Sequence, residues 1–158
     1  MMRRRLAFGL LVGVSVLVAG CGKGSGVVPV GGRVTLEGEP VKNMMVNFTP
    51  AGETEGHGAI AVTDADGRFT LQGVRGESGV RVGEYKVSFY PADVPATPDD
   101  PADVVGASRR RTGLPGIYLD ANQTPLRVAI PEGGGTVEVI LTKSGKGATT
   151  KVTPKESK

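Results

Sequence analysis

The 158-residue chain has one cysteine, Cys21, one histidine, His57, and no tryptophan. A lone cysteine has no disulfide partner within its own chain, so stability must come from a packed core. One histidine falls short of the several His or Cys ligands that a zinc centre of the usual kinds takes. A serine triad needs a histidine base, and neither Ser78, Ser88 nor Ser108 stands in a recognisable nucleophile setting for His57. Aromatic residues make up only 4% of the chain. A membrane-length apolar run is also missing, because the uncharged stretch Leu6–Gly20 has 15 residues and a spanning helix needs roughly 20.

That short apolar stretch has a definite character. Arg3, Arg4 and Arg5 precede it, small residues end it, and Cys21 follows with "GKGSG" behind. A basic start, a short apolar middle and a small-residue cleavage site describe a secretory signal, and the arginines hold the start on the cytoplasmic side. Val18-Ala19-Gly20-Cys21 resembles a bacterial lipobox. The resemblance implies a diacylglyceryl group on the Cys21 thiol, cleavage before Cys21 and acylation of the new amino terminus, with no other cofactor. It also implies an exported, membrane-anchored lipoprotein. Glycine at position 22, where aspartate would favour inner-membrane retention, favours the outer membrane if the cell has both.

Processing changes the charge balance. Loss of residues 1–20 leaves 138 residues and takes Lys+Arg from 19 to 16, against 16 Asp+Glu. A formally neutral chain lacks the positive excess of a nucleic-acid surface. The charge is unevenly placed, because Lys143–Lys158 holds five lysines and one glutamate.

Behind residues 21–29, the lipidated cysteine and a flexible Gly/Ser-type spacer, short β-branched runs alternate with Gly, Pro and Asp turn signals, the pattern of an all-β domain. Val34 and Leu36 share one face of a first strand. Met44, Val46 and Phe48 share the inner face of a second, and Ile60 and Val62 that of a third. After the turn "DADG", Phe69 and Leu71 point inward, and "EYKVSFY" places Tyr85, Val87 and Phe89 inward. Residues 91–115 read as a long irregular loop. A last hairpin opposes Leu126, Val128 and Ile130 to Val137, Val139 and Leu141 across "PEGGG". Residues 144–158 have no apolar face and read as a disordered lysine-rich tail.

These pieces, in order, are similar to a known domain. "GRVTLEGEPVKNMMVNFTP", "TDADGRFTL" and "GEYKVSFY" resemble a carboxypeptidase-regulatory-like domain of the transthyretin-like type, and the closing segment resembles that of small bacterial lipoproteins built on it. The resemblance covers residues 30–143. It implies a seven-stranded, mostly antiparallel, transthyretin-like or immunoglobulin-like sandwich and no particular activity.

Asp64 and Asp66 look like the start of a calcium loop, but the third ligand slot is Arg68 and position twelve is Arg75, both cations. Hydroxyisourate hydrolases of the same fold use more than one histidine and a terminal Tyr-Arg-Gly-Ser, whereas this chain ends "PKESK". The reading is therefore a lipid-anchored, non-catalytic envelope module, structural or binding an envelope protein or an acidic polymer, with no metal and no nucleic acid. A carbohydrate-binding module is the alternative and an enzyme of unknown type the third. The candidate partner contacts are Arg109, Arg110 and Arg111 in the long loop, and Tyr90 and Tyr118 as the aromatics off the inward faces.

Overall fold

The computed structural model describes residues 26–92 and 112–155. Twelve strands occur among them: β1 (Val27–Val28), β2 (Val30–Leu36), β3 (Glu39–Pro40), β4 (Met44–Ala51), β5 (Ala59–Val62), β6 (Arg68–Thr70), β7 (Gln72–Gly73), β8 (Val80–Arg81), β9 (Gly83–Pro91), β10 (Arg127–Ile130), β11 (Gly135–Leu141) and β12 (Thr149–Pro154). A single 3-10 turn, Gly116–Tyr118, precedes β10. The chain is all-β. One sheet has the order β10-β9-β4-β5-β7, a second has β12-β11-β2-β3 with β6 also on β2, and β1 pairs β8. Pairing is antiparallel except between β11 and β2.

The two larger sheets share one apolar core, as expected of a sandwich. Val46, Phe48, Tyr85, Val87 and Phe89 come from the first sheet, and Val30, Val34, Phe69, Val137, Val139 and Leu141 from the second. The Phe48 ring meets Phe69 at 6.2 Å and Tyr85 at 6.0 Å between centroids, both tilted. Tilted pairs at this distance add to the area they bury. Phe69 also lies over Gly32, where an added Cβ would come within 2.5 Å of the ring and 2.1 Å of the Val137 carbonyl. Glycine at this inward position of β2 is therefore a requirement of close approach between three strands.

The strand period places most side chains as their alternation implies, with one reversal. On β5, Ala59 and Ala61 are buried, while Ile60 is 37% and Val62 53% exposed. The register explains it: Phe48 stands opposite Ala59 and Val46 opposite Ala61. The two large residues of β4 fill the inner layer, so the small residues of β5 fit beside them and the branched ones turn outward.

The expected last hairpin is a crossing instead. β10 pairs β9 in the first sheet, while the next strand, β11, lies parallel to β2 in the second. The "PEGGG" turn is held against the start of β2 by the Gly135 N–H donating to the Pro29 carbonyl at 3.2 Å. The inward residues of β10 and β11 still oppose each other, but across the core. Likewise β5 and β6 belong to different sheets.

The lysine-rich segment is also corrected. Thr149–Pro154 is a strand, paired with β11 from Gly135↔Pro154 to Ile140↔Thr149. Its own apolar content is small, and the free edge of β11 supplies the template. Val152 and Ala148 pack against the core, and the Thr150 hydroxyl donates to the Arg127 carbonyl of β10, joining the two sheets along one side.

Two outcomes follow. Gly32→Ala is expected to lower stability by about 1–3 kcal/mol, the range for overpacking a filled core, measured by denaturant unfolding. Deleting residues 148–158 should lower the melting temperature and promote self-association through the bared β11 edge, measured by thermal melts and light scattering.

Candidate binding face

Register builds a continuous surface on the outer side of the second sheet. Residues alternate faces along a strand, so Arg33, Glu138, Lys151 and Arg68 all point away from the core and all are exposed. They fall in one row across four strands: Lys151 opposite Glu138, Glu138 beside Arg33, and Arg33 opposite Arg68. The neighbouring row is Thr153, Thr136, Gly31 and Thr70. The row on the other side runs Thr149, Ile140, Thr35 and Pro40. A band of three cations and one carboxylate thus lies between two rows rich in threonine.

The Arg33 Nε–H donates to the Asp66 carbonyl at 3.0 Å, which fixes one side of that guanidinium. Neither Arg68 nor Lys151 enters a side-chain hydrogen bond or ion pair among the described residues, where Lys143 and Glu37 form a salt bridge at 3.7 Å. Nearby carboxylates are Asp64 and Asp66. Asp64 Oδ1 accepts from the N–H groups of Asp66 (2.9 Å) and Arg68 (2.8 Å), and Gly67 takes φ 73°. The "DADG" segment is a turn closed by its own carboxylate. Among the described residues no three His, Cys, Asp or Glu side chains gather where they would hold a metal ion.

The other sequence candidates are scattered. Cys21, with Val18, Ala19 and Gly20, and Arg109, Arg110 and Arg111 lie outside the described residues. Tyr90 is half-buried on the outer face of the first sheet, in a row with Met45 and Val62. Tyr118 is not a surface residue. It is wholly buried, its hydroxyl donates to the Thr142 carbonyl at 3.2 Å and accepts from the Thr142 N–H at 3.3 Å, and it ties the 3-10 turn to the end of β11. It follows a proline-rich stretch of sequence with no strand periodicity, which hid this packing.

His57 is exposed in the β4–β5 loop. Ser88 is fully buried on β9, and its hydroxyl has no hydrogen-bond partner among the described residues. Two open grooves, of about 540 and 490 Å³, flank Leu114. The first sets Leu114, Pro115 and Ile117 against Lys143, Ser144 and Lys146. The second is lined by Leu36, Val41, Met44 and Pro91, with Lys42 and Glu39 at its side. Both lie at the Met44–Pro91 end of the first sheet, whereas His57 follows β4 at the Ala51–Glu84 end.

Burial acts on the Tyr85 phenol. The Tyr85 ring is enclosed and its hydroxyl donates to the Arg81 carbonyl at 2.9 Å. Desolvation raises its pKa above the ordinary value of 10.0, partly offset by the Arg81 charge. The protonated phenol is the form the fold favours. Its contribution is complete below pH 10 and is lost as pH rises through the raised pKa. Tyr85→Phe should therefore flatten the loss of stability above about pH 10, read from denaturant midpoints across an alkaline series.

No family model matches the chain, and no curated protein or solved structure matches it.

Proposed function

We propose that the protein is a lipid-anchored, non-catalytic module of the cell envelope, built on a seven-strand transthyretin-like core of the carboxypeptidase-regulatory-like type, which binds an envelope protein or polymer. The observation that supports a binding role is the outer face of the second sheet. Its charges are exposed, ordered by register, and without ion pairs among the described residues. A solvated sheet face tolerates such residues, and a flat array of cations and hydroxyls is also the surface a polymer can lie on. Carbohydrate recognition by aromatic stacking has less support. Phe48, Phe69, Tyr85, Phe89 and Tyr118 are buried, which leaves Tyr90 alone at the surface among the described aromatics.

The anchor rests on Val18-Ala19-Gly20-Cys21 and on the short link from Cys21 to β1 at Val27. Among the described residues no helix is long and apolar enough to cross a membrane. Acyl chains on Cys21 would each bury many methylenes at about 0.8 kcal/mol apiece. The wild-type protein should then stay in the membrane fraction through high-salt washing, and Cys21→Ser should release it or leave it uncleaved. A Cys21→Ser variant that is cleaved and membrane-bound like the wild type refutes the anchor.

A further inference from the structure

We infer that the outer face of the second sheet is a binding site for a linear acidic polysaccharide, its carboxylates met by Arg33, Arg68 and Lys151 and its hydroxyls by the threonine rows. The inference rests on the reading of the protein as a polymer-binding module and names the class of polymer.

Three features of the face select this occupant. The first is charge. Three cations and one carboxylate leave the row net positive, in a chain that is formally neutral as a whole after loss of residues 1–20. Arg33 and Arg68 stand directly opposite each other. Like charges in that position destabilise a sheet. The Arg33 Nε–H is held by the Asp66 carbonyl, the Arg68 side chain has no partner among the described residues, and a bound anion between the two converts the repulsion into charge-assisted hydrogen bonds. The Asp64 carboxylate of the adjoining turn is already held by two backbone N–H groups, which leaves Glu138 as the acid within the row.

The second feature is shape. At about 4.8 Å between strands, four strands carry the row over about 14 Å, and the threonine row runs parallel to it about 7 Å away. Gly31 interrupts the threonine row with no side chain beside Arg33. An extended chain bearing anionic groups and hydroxyls can follow this line.

The third feature is chemical. Thr70, Thr136, Thr149 and Thr153 are exposed and offer hydroxyls that both donate and accept, as sugar hydroxyls do. No aromatic residue lies in the three rows, so the face has no platform for stacking bases. An acidic glycan is thereby favoured over a single-stranded nucleic acid.

The test uses the purified full chain in detergent, with polygalacturonate as the probe, neutral dextran as a control and single-stranded DNA as competitor. Polygalacturonate should bind, and dextran should not. Salt near 1 M, where the screening length is about 3 Å, should abolish binding. Arg33→Gln with Arg68→Gln should weaken binding at least about tenfold, the loss of a charge-assisted bond. Glu138→Gln should strengthen it. Arg68→Gln alone should not lower the melting temperature, which separates a binding role from a folding one. Unchanged affinity in the double variant overturns the site, as does equal binding of dextran. Displacement by DNA at equal or tighter affinity assigns the face to phosphate backbones and overturns the glycan. The probe reports on the face whether or not Cys21 carries lipid. Loss of probe binding with intact anchoring refutes this inference alone, and intact probe binding with failed anchoring refutes the anchor alone.

Discussion

The parallel register of β2 with β11 is the constraint on which the second sheet depends. β2 bonds to β11 along one edge, from Val30↔Gly135 to Leu36↔Leu141, and to β3 and β6 along the other. It is the only strand that joins residues from the beginning, the middle and the end of the described chain. The pairing must wait until both strands have been made and brought together, and such non-local contacts form slowly because loop closure precedes their reward. Because the side-chain period is two, the same register decides both faces at once. It sends Val34, Val137 and Val139 inward and Arg33 and Glu138 outward. A slip by one residue would bury the charges and expose the valines, so the stability of the core guards the geometry of the outer row.

The edges are protected by different means. On one side β12 covers β11 and is fastened to β10 through Thr150 and the Arg127 carbonyl. On the other, the chain steps from β5 through the Asp64 turn into β6, and Leu71 buries itself between the sheets. The Asp64 N–H donates to the Arg68 carbonyl, and the Val34 N–H to the Gly67 carbonyl, so the turn is bonded both to itself and to β2. Charged and short edge strands of this kind discourage pairing with other chains.

The inner faces of β4, β9, β10 and β11 were legible because large apolar residues alternate with polar ones there. β5 was not, because "AIAV" is apolar at every position and only the bulk of Val46 and Phe48 on its neighbour decides which pair turns inward. β12 was invisible for the opposite reason. "TTKVTP" has β-branched residues but one apolar anchor, and its conformation comes from the partner's edge. The assignment of β10 and β11 to different sheets is a tertiary fact that a glycine-rich turn permits but does not announce. The outer row was the least legible feature. Arg33, Arg68, Glu138 and Lys151 are isolated charges in the sequence, unlike the run Arg109–Arg111, and only register brings them together. Lys151 was read as part of a free basic tail, where its charge would have had no fixed position.

Fixing that charge matters to the proposed placement in the envelope. If Cys21 is the lipid anchor, six residues lead from it to Val27, and an extended chain of that length reaches at most about 21 Å. β2 begins three residues later, and Arg33 lies a further three residues along it, about 10 Å at the strand rise. The cationic row would then be held within roughly 40 Å of the bilayer, beyond the reach of headgroup charge when the tether is extended, since screening limits that charge to about 8 Å at physiological salt. A cationic segment on a free tail could fold back onto acidic lipid. A row built into a sheet, with β12 locked to β11, keeps its spacing, which is what binding of the proposed polymer would require.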